Sequence, residues 1–279
     1  MNPIPAVPAP IDVCIVATRR PELLALTLAS FQQNLFRHFR IRRLIANIDP
    51  AFGTEADQRE CIRLIRSYDP DALITTPAEA NFAAAVARVW AASTTDIILH
   101  LEDDWLLKRA LLPADVKPMA EDESIGEISL NHAGKAWSVE RKGPFVYTRR
   151  PRRFLGVSLP WRRRIPLFLT APAFFRGSFA RAAASLMDPA FDPEKQFCRG
   201  VNPALEAYVL PFRNMILGGA TDYYIEDLGR RWREDRQIGK RLVGGQSHWD
   251  WVPHEADALP IVPAVPLVGI EAKVEGIRP

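Results

Sequence analysis

The stretch Asp96-Ile97-Ile98-Leu99-His100-Leu101-Glu102-Asp103-Asp104 decides the fold. Its apolar residues form a short continuous run, the pattern of a strand covered on both faces, as in a parallel sheet. Three acids follow at once. In open parallel sheets ligands bind beyond the carboxyl ends of the strands, so these acids stand where chemistry is expected. Clustered carboxylates repel one another, more so where they are only partly solvated, and a bound cation removes that cost. Hard oxygen donors suit Mg²⁺ or Mn²⁺, which take one or two carboxylates together with phosphate oxygens of a substrate. The competing reading is a solvated turn in which acids merely stop the strand. The position directly after Ile97–Leu101 favours the metal.

Working outward, strand and helix alternate through the first half. Ile11-Asp12-Val13-Cys14-Ile15-Val16-Ala17 reads as a buried strand ending at Thr18. Pro21 suits the first turn of a helix, in which Leu24, Leu28, Phe31 and Leu35 share one face. Arg43–Ile48 is a second strand, stopped at Asp49-Pro50. Thr54 caps a helix lined by Cys61, Leu64, Ile65 and Tyr68. Ala72–Thr75 is a third strand, and Asn81 opens a helix with Phe82, Val86, Val89 and Trp90 on its buried side. This repetition predicts an α/β protein with a mostly parallel sheet flanked by helices. Thr18, Asp49 and Glu102–Asp104 all fall at strand carboxyl ends.

The second half is less regular. Glu127–Leu130 and Phe168-Leu169-Thr170 read as strands, Phe179–Leu186 as a short helix, and Tyr223–Arg236 as a helix with Tyr224, Leu228 and Trp232 on one side. The expected division is an extended tail over 1–10, a first half over 11–125, a second half over 126–258, and a proline-rich tail over 259–279.

At 279 residues with 48% apolar and 25% charged residues, the chain has ample apolar surface for a folded core. No apolar run approaches the ~18 residues needed to cross a bilayer. The uncharged, proline-rich start resembles neither a signal nor a transit peptide. Three cysteines without metal-like spacing suit a reducing cytoplasm. The net charge of +3 is unevenly spread: nine basic residues and no acid lie between Arg141 and Arg164. Outside that segment, 27 basic residues face 33 acidic ones.

Four segments together resemble the family-2 glycosyltransferases and the wider GT-A nucleotide-sugar transferases. Val16-Ala17-Thr18-Arg19-Arg20-Pro21-Glu22-Leu23-Leu24 is similar to the family's first strand and turn. Asn81 to Arg88, then Asp96 to Asp104, resemble its second signature and its D-x-D-type motif. Tyr224-Ile225-Glu226-Asp227-Leu228 is similar to the later E-D motif. The likeness spans roughly 11 to 250 and implies that 11–125 is the nucleotide-sugar-binding half and 126–258 the acceptor-binding and catalytic half. It departs from the family at Ala17, Arg19, Ala83 and Glu102, where proline, asparagine, glycine and aspartate are usual.

The resemblance implies a sugar transferred from a nucleotide-sugar donor of the UDP or GDP type to a glycan or lipid-linked acceptor, as in polysaccharide synthesis, with Mn²⁺ or Mg²⁺. It implies Thr18, Arg20 and Asp49 near the nucleoside, Asn81 and Arg88 near the donor, and Glu102 and Asp103 toward ribose and sugar. It makes Asp104 a metal ligand, with His248 completing the site and His254 in reserve, and Asp227 the general base. The residues alone read more plainly. Asp227–Arg231 and Glu226–Arg230 have the i, i+4 spacing of a charged solvent face, and His248 beside Trp249 and Trp251 suits packing.

Two other classes compete. A nucleotidyltransferase on a related sheet usually carries a glycine-rich first loop, and Thr18-Arg19-Arg20-Pro21 has no glycine. A non-enzymatic anion- or nucleic-acid-binding protein would use Arg141–Arg164, where aromatics interleave with arginines; the acidic remainder speaks against nucleic acid. The segment is instead expected to meet an anionic membrane from the cytoplasmic side, or a charged acceptor, against the plainer reading that it pairs with the acidic excess of the protein's own surface.

Overall fold

The computed structural model describes residues 9–134, 137–154, 157–219, 221–243 and 246–251; for 152–154, 157–159, 240–243 and 246–251 it describes the backbone alone. The chain begins with β1 (Ile11–Thr18), α1 (Pro21–Asn34), β2 (Ile41–Asp49), α2 (Glu55–Tyr68), β3 (Leu73–Thr75), α3 (Phe82–Ala91) and β4 (Ile97–Glu102). It continues through β5 (Trp105–Leu107), α4 (Lys117–Glu121), β6 (Ile125–Leu130), α5 (Val139–Lys142), β7 (Phe145–Phe154), β8 (Val157–Pro166) and β9 (Ala173–Arg176). Then come α6 (Gly177–Leu186), α7 (Pro193–Cys198), α8 (Pro203–Val209), β10 (Arg213–Leu217), β11 (Ile225–Asp227), α9 (Leu228–Asp235), β12 (Ile238–Val243) and β13 (Gln246–Trp251).

Nine strands form one sheet in the order β3-β2-β1-β4-β9-β6-β10-β7-β8. β3, β2, β1 and β4 are parallel neighbours, as are β6 and β10. β9 runs against both β4 and β6, and β7 runs against β10 and β8. All strands but β9 and β7 therefore point one way.

The first strand shows why the sheet is covered twice. Val13, Ile15 and Ala17 face one apolar layer with Leu24, Leu28 and Phe31 of α1 and Cys61 and Ile65 of α2. Cys14 and Val16 face a second layer with Val86, Val89 and Trp90 of α3 and the apolar side of α6. Each such buried large side chain contributes about 1.5–3 kcal/mol. Asp12, buried at the start of β1, accepts from the backbone of Thr94 at 2.7 Å and so fastens the turn before β4.

Local signals end the helices as the sequence predicts. Pro21 starts α1, Thr54 and Asp57 form a capping box on α2, and Asn81 caps α3 through Ala84.

Two expected elements differ. Phe168-Leu169-Thr170 is not a strand; the strand is β9, further on. The backbone nitrogens of Leu169 and Thr170 donate to Glu127 and Glu194 side chains instead of a ladder, while Phe168 packs on Phe179. The helix expected over Tyr223–Arg236 starts only at Leu228, because Ile225, Glu226 and Asp227 pair with Leu107, Leu106 and Trp105 as β11 against β5. The basic segment, for which no structure was expected, folds mainly into the β7–β8 hairpin.

Candidate active site

Strand order creates the site. α1 and α2 cover one face of the sheet and α3 the other, so the winding direction reverses between β1 and β4. A crevice opens at the carboxyl ends of two such strands. The register sets Thr18 beside Asp49 and Val16 beside Glu102, so the ends of β1, β2 and β4 lie side by side.

Asp103 ties β4 to β1. Its Oδ2 accepts from Thr18 through the backbone nitrogen at 2.8 Å and the hydroxyl at 3.0 Å. Its Oδ1 accepts from Arg20 Nη2 at 2.5 Å. Arg20 also reaches Asp104 Oδ2 at 3.1 Å and donates from Nε to the Thr18 hydroxyl at 2.7 Å. Its guanidinium lies 5.4 Å from the Phe52 ring and 5.3 Å from that of Trp232. Burial opposes its charge, but Asp103 and Asp104 outweigh burial and hold it firmly protonated.

Asp104 receives further support from α9. Arg233 lies 3.5 Å from the same Oδ2, and Leu228 donates its backbone nitrogen to the Asp104 carbonyl at 2.8 Å. Glu102 accepts at Oε2 from Trp105 Nε1 at 2.7 Å. Burial, then the charge of Asp104, pushes the Glu102 carboxyl well above the usual carboxylate range, against the Trp105 bond. Asp103 is also raised, chiefly by burial, with Arg20 opposing.

Asp227 arrives from the far end of the chain. The β11–β5 pairing sets its backbone against Trp105, and its Oδ1 caps α9 by accepting from Arg230 at 2.9 Å. Its carboxyl is raised by burial first and then by the charge of Asp104. Glu102 thus feels the charges of both Asp104 and Asp227, and Asp227 feels that of Asp104.

A second polar group sits at the end of β2. Asp49 accepts from Asn47 Nδ2 at 2.7 Å and from the Asn81 backbone at 3.0 Å, while Arg88 donates to Asn47 Oδ1. Burial raises the Asp49 carboxyl despite both bonds. Asn81 works as the cap of α3 and donates to the Pro189 carbonyl at 3.0 Å. His248 lies in β13 opposite Arg241, and its side chain lies outside the described residues, as does all of His254.

Sequence reasoning missed Arg233, Gly229, Phe52 and Trp232. Only Gly229 carried a signal, since a glycine one turn into a helix marks a close approach. Phe52 holds a left-handed φ of 63°, a strained backbone for a bulky residue, and packs edge-on against Trp232 at 5.8 Å.

The donor set suits a divalent ion shared with a substrate rather than caged by protein. Among the described residues no three His, Cys, Asp or Glu side chains gather as a ready metal cage. Glu102 Oε1 and Asp104 Oδ1, however, receive no hydrogen bond from any described residue. Two carboxylates with phosphate oxygens completing the shell is a usual Mg²⁺ arrangement.

The fold is of the GT-A type, an α/β sheet with its acid-lined crevice at the β1/β4 switch point. Among solved structures the chain is similar to a mannosyltransferase from Pyrobaculum calidifontis in complex with GDP-Man and Mn²⁺. That likeness has 15% identity and a TM-score of 0.50, over 76% of this chain and 56% of the other. It also matches S. aureus TarS 1–349, at 14% identity and a TM-score of 0.45, over 77% of this chain and 59% of the other. A CMP:2-keto-3-deoxy-manno-octonic acid synthetase complexed with CTP matches at 11% identity and 0.44, over 81% and 96%. The chain therefore spans little more than half of the first two of these chains. No protein-family model and no curated sequence matches it.

Proposed function

We propose that the chain is a divalent-metal-dependent glycosyltransferase, moving a sugar from a UDP- or GDP-type donor to a hydroxyl of a glycan or lipid-linked acceptor. The observation that carries this reading is the meeting of Glu102 and Asp104, at the end of β4, with Asp227 from β11 on a GT-A sheet. The similar mannosyltransferase, in complex with GDP-Man and Mn²⁺, supports the choice of donor and metal. Residues up to 125 would serve mainly the donor and later ones the acceptor.

Each group then has a task. Glu102 and Asp104 would hold the ion, whose chemistry is Lewis-acid neutralisation of the diphosphate leaving group. Arg20 and Arg233 keep Asp104 oriented, and Asp103 locks β4 to Thr18. Asp49, steadied by Asn47 and Asn81, is placed for the nucleoside. Asp227 takes the proton of the acceptor hydroxyl as that oxygen bonds to the anomeric carbon and the diphosphate leaves with its electron pair. Its raised proton affinity makes it a stronger base than an ordinary carboxylate. Direct displacement of this kind inverts the anomeric centre.

The reading puts the protein in the cytoplasm, where its three free, buried cysteines suit reducing conditions, with peripheral contact at an anionic membrane. Among the described residues no helix is long and apolar enough to cross a membrane.

Nucleoside diphosphate release from a panel of nucleotide sugars with Mn²⁺ tests the activity, and release from none of them would reject it. Calorimetry of Asp104→Asn tests the metal role. The variant is expected to lose Mn²⁺-dependent nucleotide binding while staying folded; unchanged affinity would remove Asp104 from the metal site.

A further inference from the structure

Across the β7–β8 ladder Arg149 stands opposite Arg164, and Arg150 opposite Arg163. Like charges directly opposite destabilise an antiparallel pair, so two consecutive arginine pairs call for counter-charge. Arg150 finds it within the protein, in Glu206 at 2.5 Å. Arg164 lies 4.4 Å over the Tyr147 ring. Arg149, Arg162 and Arg163 are exposed and ion-pair with no described residue. Beside them Trp161 is 66% exposed.

The register also says where these groups point. β7 pairs with β10 only at Phe145–Met215 and Val146–Asn214. Since β10 points as β4 does, β7 runs toward the amino ends of the parallel strands, away from Glu102–Asp104. Thr148 to Phe154 alone reach about 23 Å in that direction, and four strand spacings, about 19 Å, separate β7 from β4. A small acceptor held at Asp227 does not reach these arginines.

We propose that the β7–β8 hairpin is a docking element for an anionic lipid surface. Alternation along the strands puts Arg149 and Arg162 on one face of the hairpin and Arg163 and Trp161 on the other, so the hairpin meets the surface end-on: the arginines take headgroup phosphates from both faces and Trp161 enters the membrane interface, where its amphipathic ring belongs. The proposal rests on the membrane part of the functional reading and assigns its surface and orientation: the catalytic edge turns away from the bilayer, which selects the glycan over the lipid-linked acceptor. Nucleic acid fits less well. Outside Arg141–Arg164 the chain carries 27 basic against 33 acidic residues and would repel a long polyanion, whereas a headgroup layer need touch only the hairpin.

Flotation of the full chain with vesicles tests this. Binding is expected to phosphatidylcholine vesicles containing phosphatidylglycerol, not to phosphatidylcholine alone, and is expected to fall with salt. Changing Arg149, Arg162 and Arg163 together to Gln should weaken partitioning by roughly 100-fold. Trp161→Ala should weaken it further. The triple variant should keep its melting temperature or raise it, because like-charge pairs are removed; the wild-type salt titration needs no variant at all. No flotation of the wild type overturns the membrane contact itself. Equal flotation with both vesicle types, flotation of the triple variant like wild type, or displacement of vesicles by a single-stranded oligonucleotide at equal charge overturns the hairpin assignment.

Discussion

The backbone of Gly229 presses on the carboxylate of Asp104, so closely that a Cβ at residue 229 would overlap Oδ2. The first turn of α9 is thereby one wall of the acid cluster, and Gly229→Ala must move either the helix or Asp104. Overpacking of this kind costs about 1–3 kcal/mol. Mn²⁺-dependent nucleotide affinity is expected to fall at least about tenfold, by the same energy scale, with far-UV circular dichroism unchanged. Wild-type affinity in calorimetry would show that the wall yields freely.

Asp227 has two tasks that substitution can separate. Asn caps a helix about as well as Asp, so Asp227→Asn keeps α9 and removes the base. Its kcat should drop by a factor of about 10² to 10⁴ with donor affinity intact. Asp227→Ala should in addition lose about 1 kcal/mol of stability in a urea melt. Near-normal turnover in the Asn variant would leave Asp227 as a cap only.

Arg20 is 5% exposed and bridges two carboxylates. Arg20→Met leaves Asp103 and Asp104 without their shared cation, and breaking a buried pair costs about 3–5 kcal/mol. Lowered pH should restore part of that loss as the carboxyls take up protons. A denaturation midpoint equal to wild type at neutral pH would mean that the pair contributes little.

His100 sets an acid limit on stability. It is fully buried, accepts at Nδ1 from Trp90 Nε1 at 3.1 Å, and burial lowers its pKa to about 3. The unfolded chain protonates it near pH 6.5 while the folded chain does not, so its contribution is full above that pH and is lost as pH falls toward 3. At pH 5 the loss should be about 2 kcal/mol. The slope between pH 6.5 and 5 should flatten in His100→Gln relative to wild type; identical slopes would assign acid sensitivity elsewhere.

The parallel half of the fold could be read before any coordinates, since Ile11–Ala17, Arg43–Ile48 and Ile97–Leu101 are local apolar runs bounded by local caps and breakers. The placement of Thr18, Asp49 and Glu102–Asp104 at strand ends was legible for the same reason, because where a strand stops is written beside it. Asp227 showed itself only by resemblance; its own neighbours read as a solvent-facing helix. What the sequence by itself determined was thus the period, the caps and the edge on which the acids lie. The tertiary structure alone decided that β11 pairs with β5 and brings Asp227 to Asp104. It alone decided that Arg20 and Arg233 converge on one carboxylate oxygen, and that the arginine hairpin points away from them. Those relations join residues far apart in the chain, and strand pairing and buried charge compensation select them only once the whole sheet is assembled.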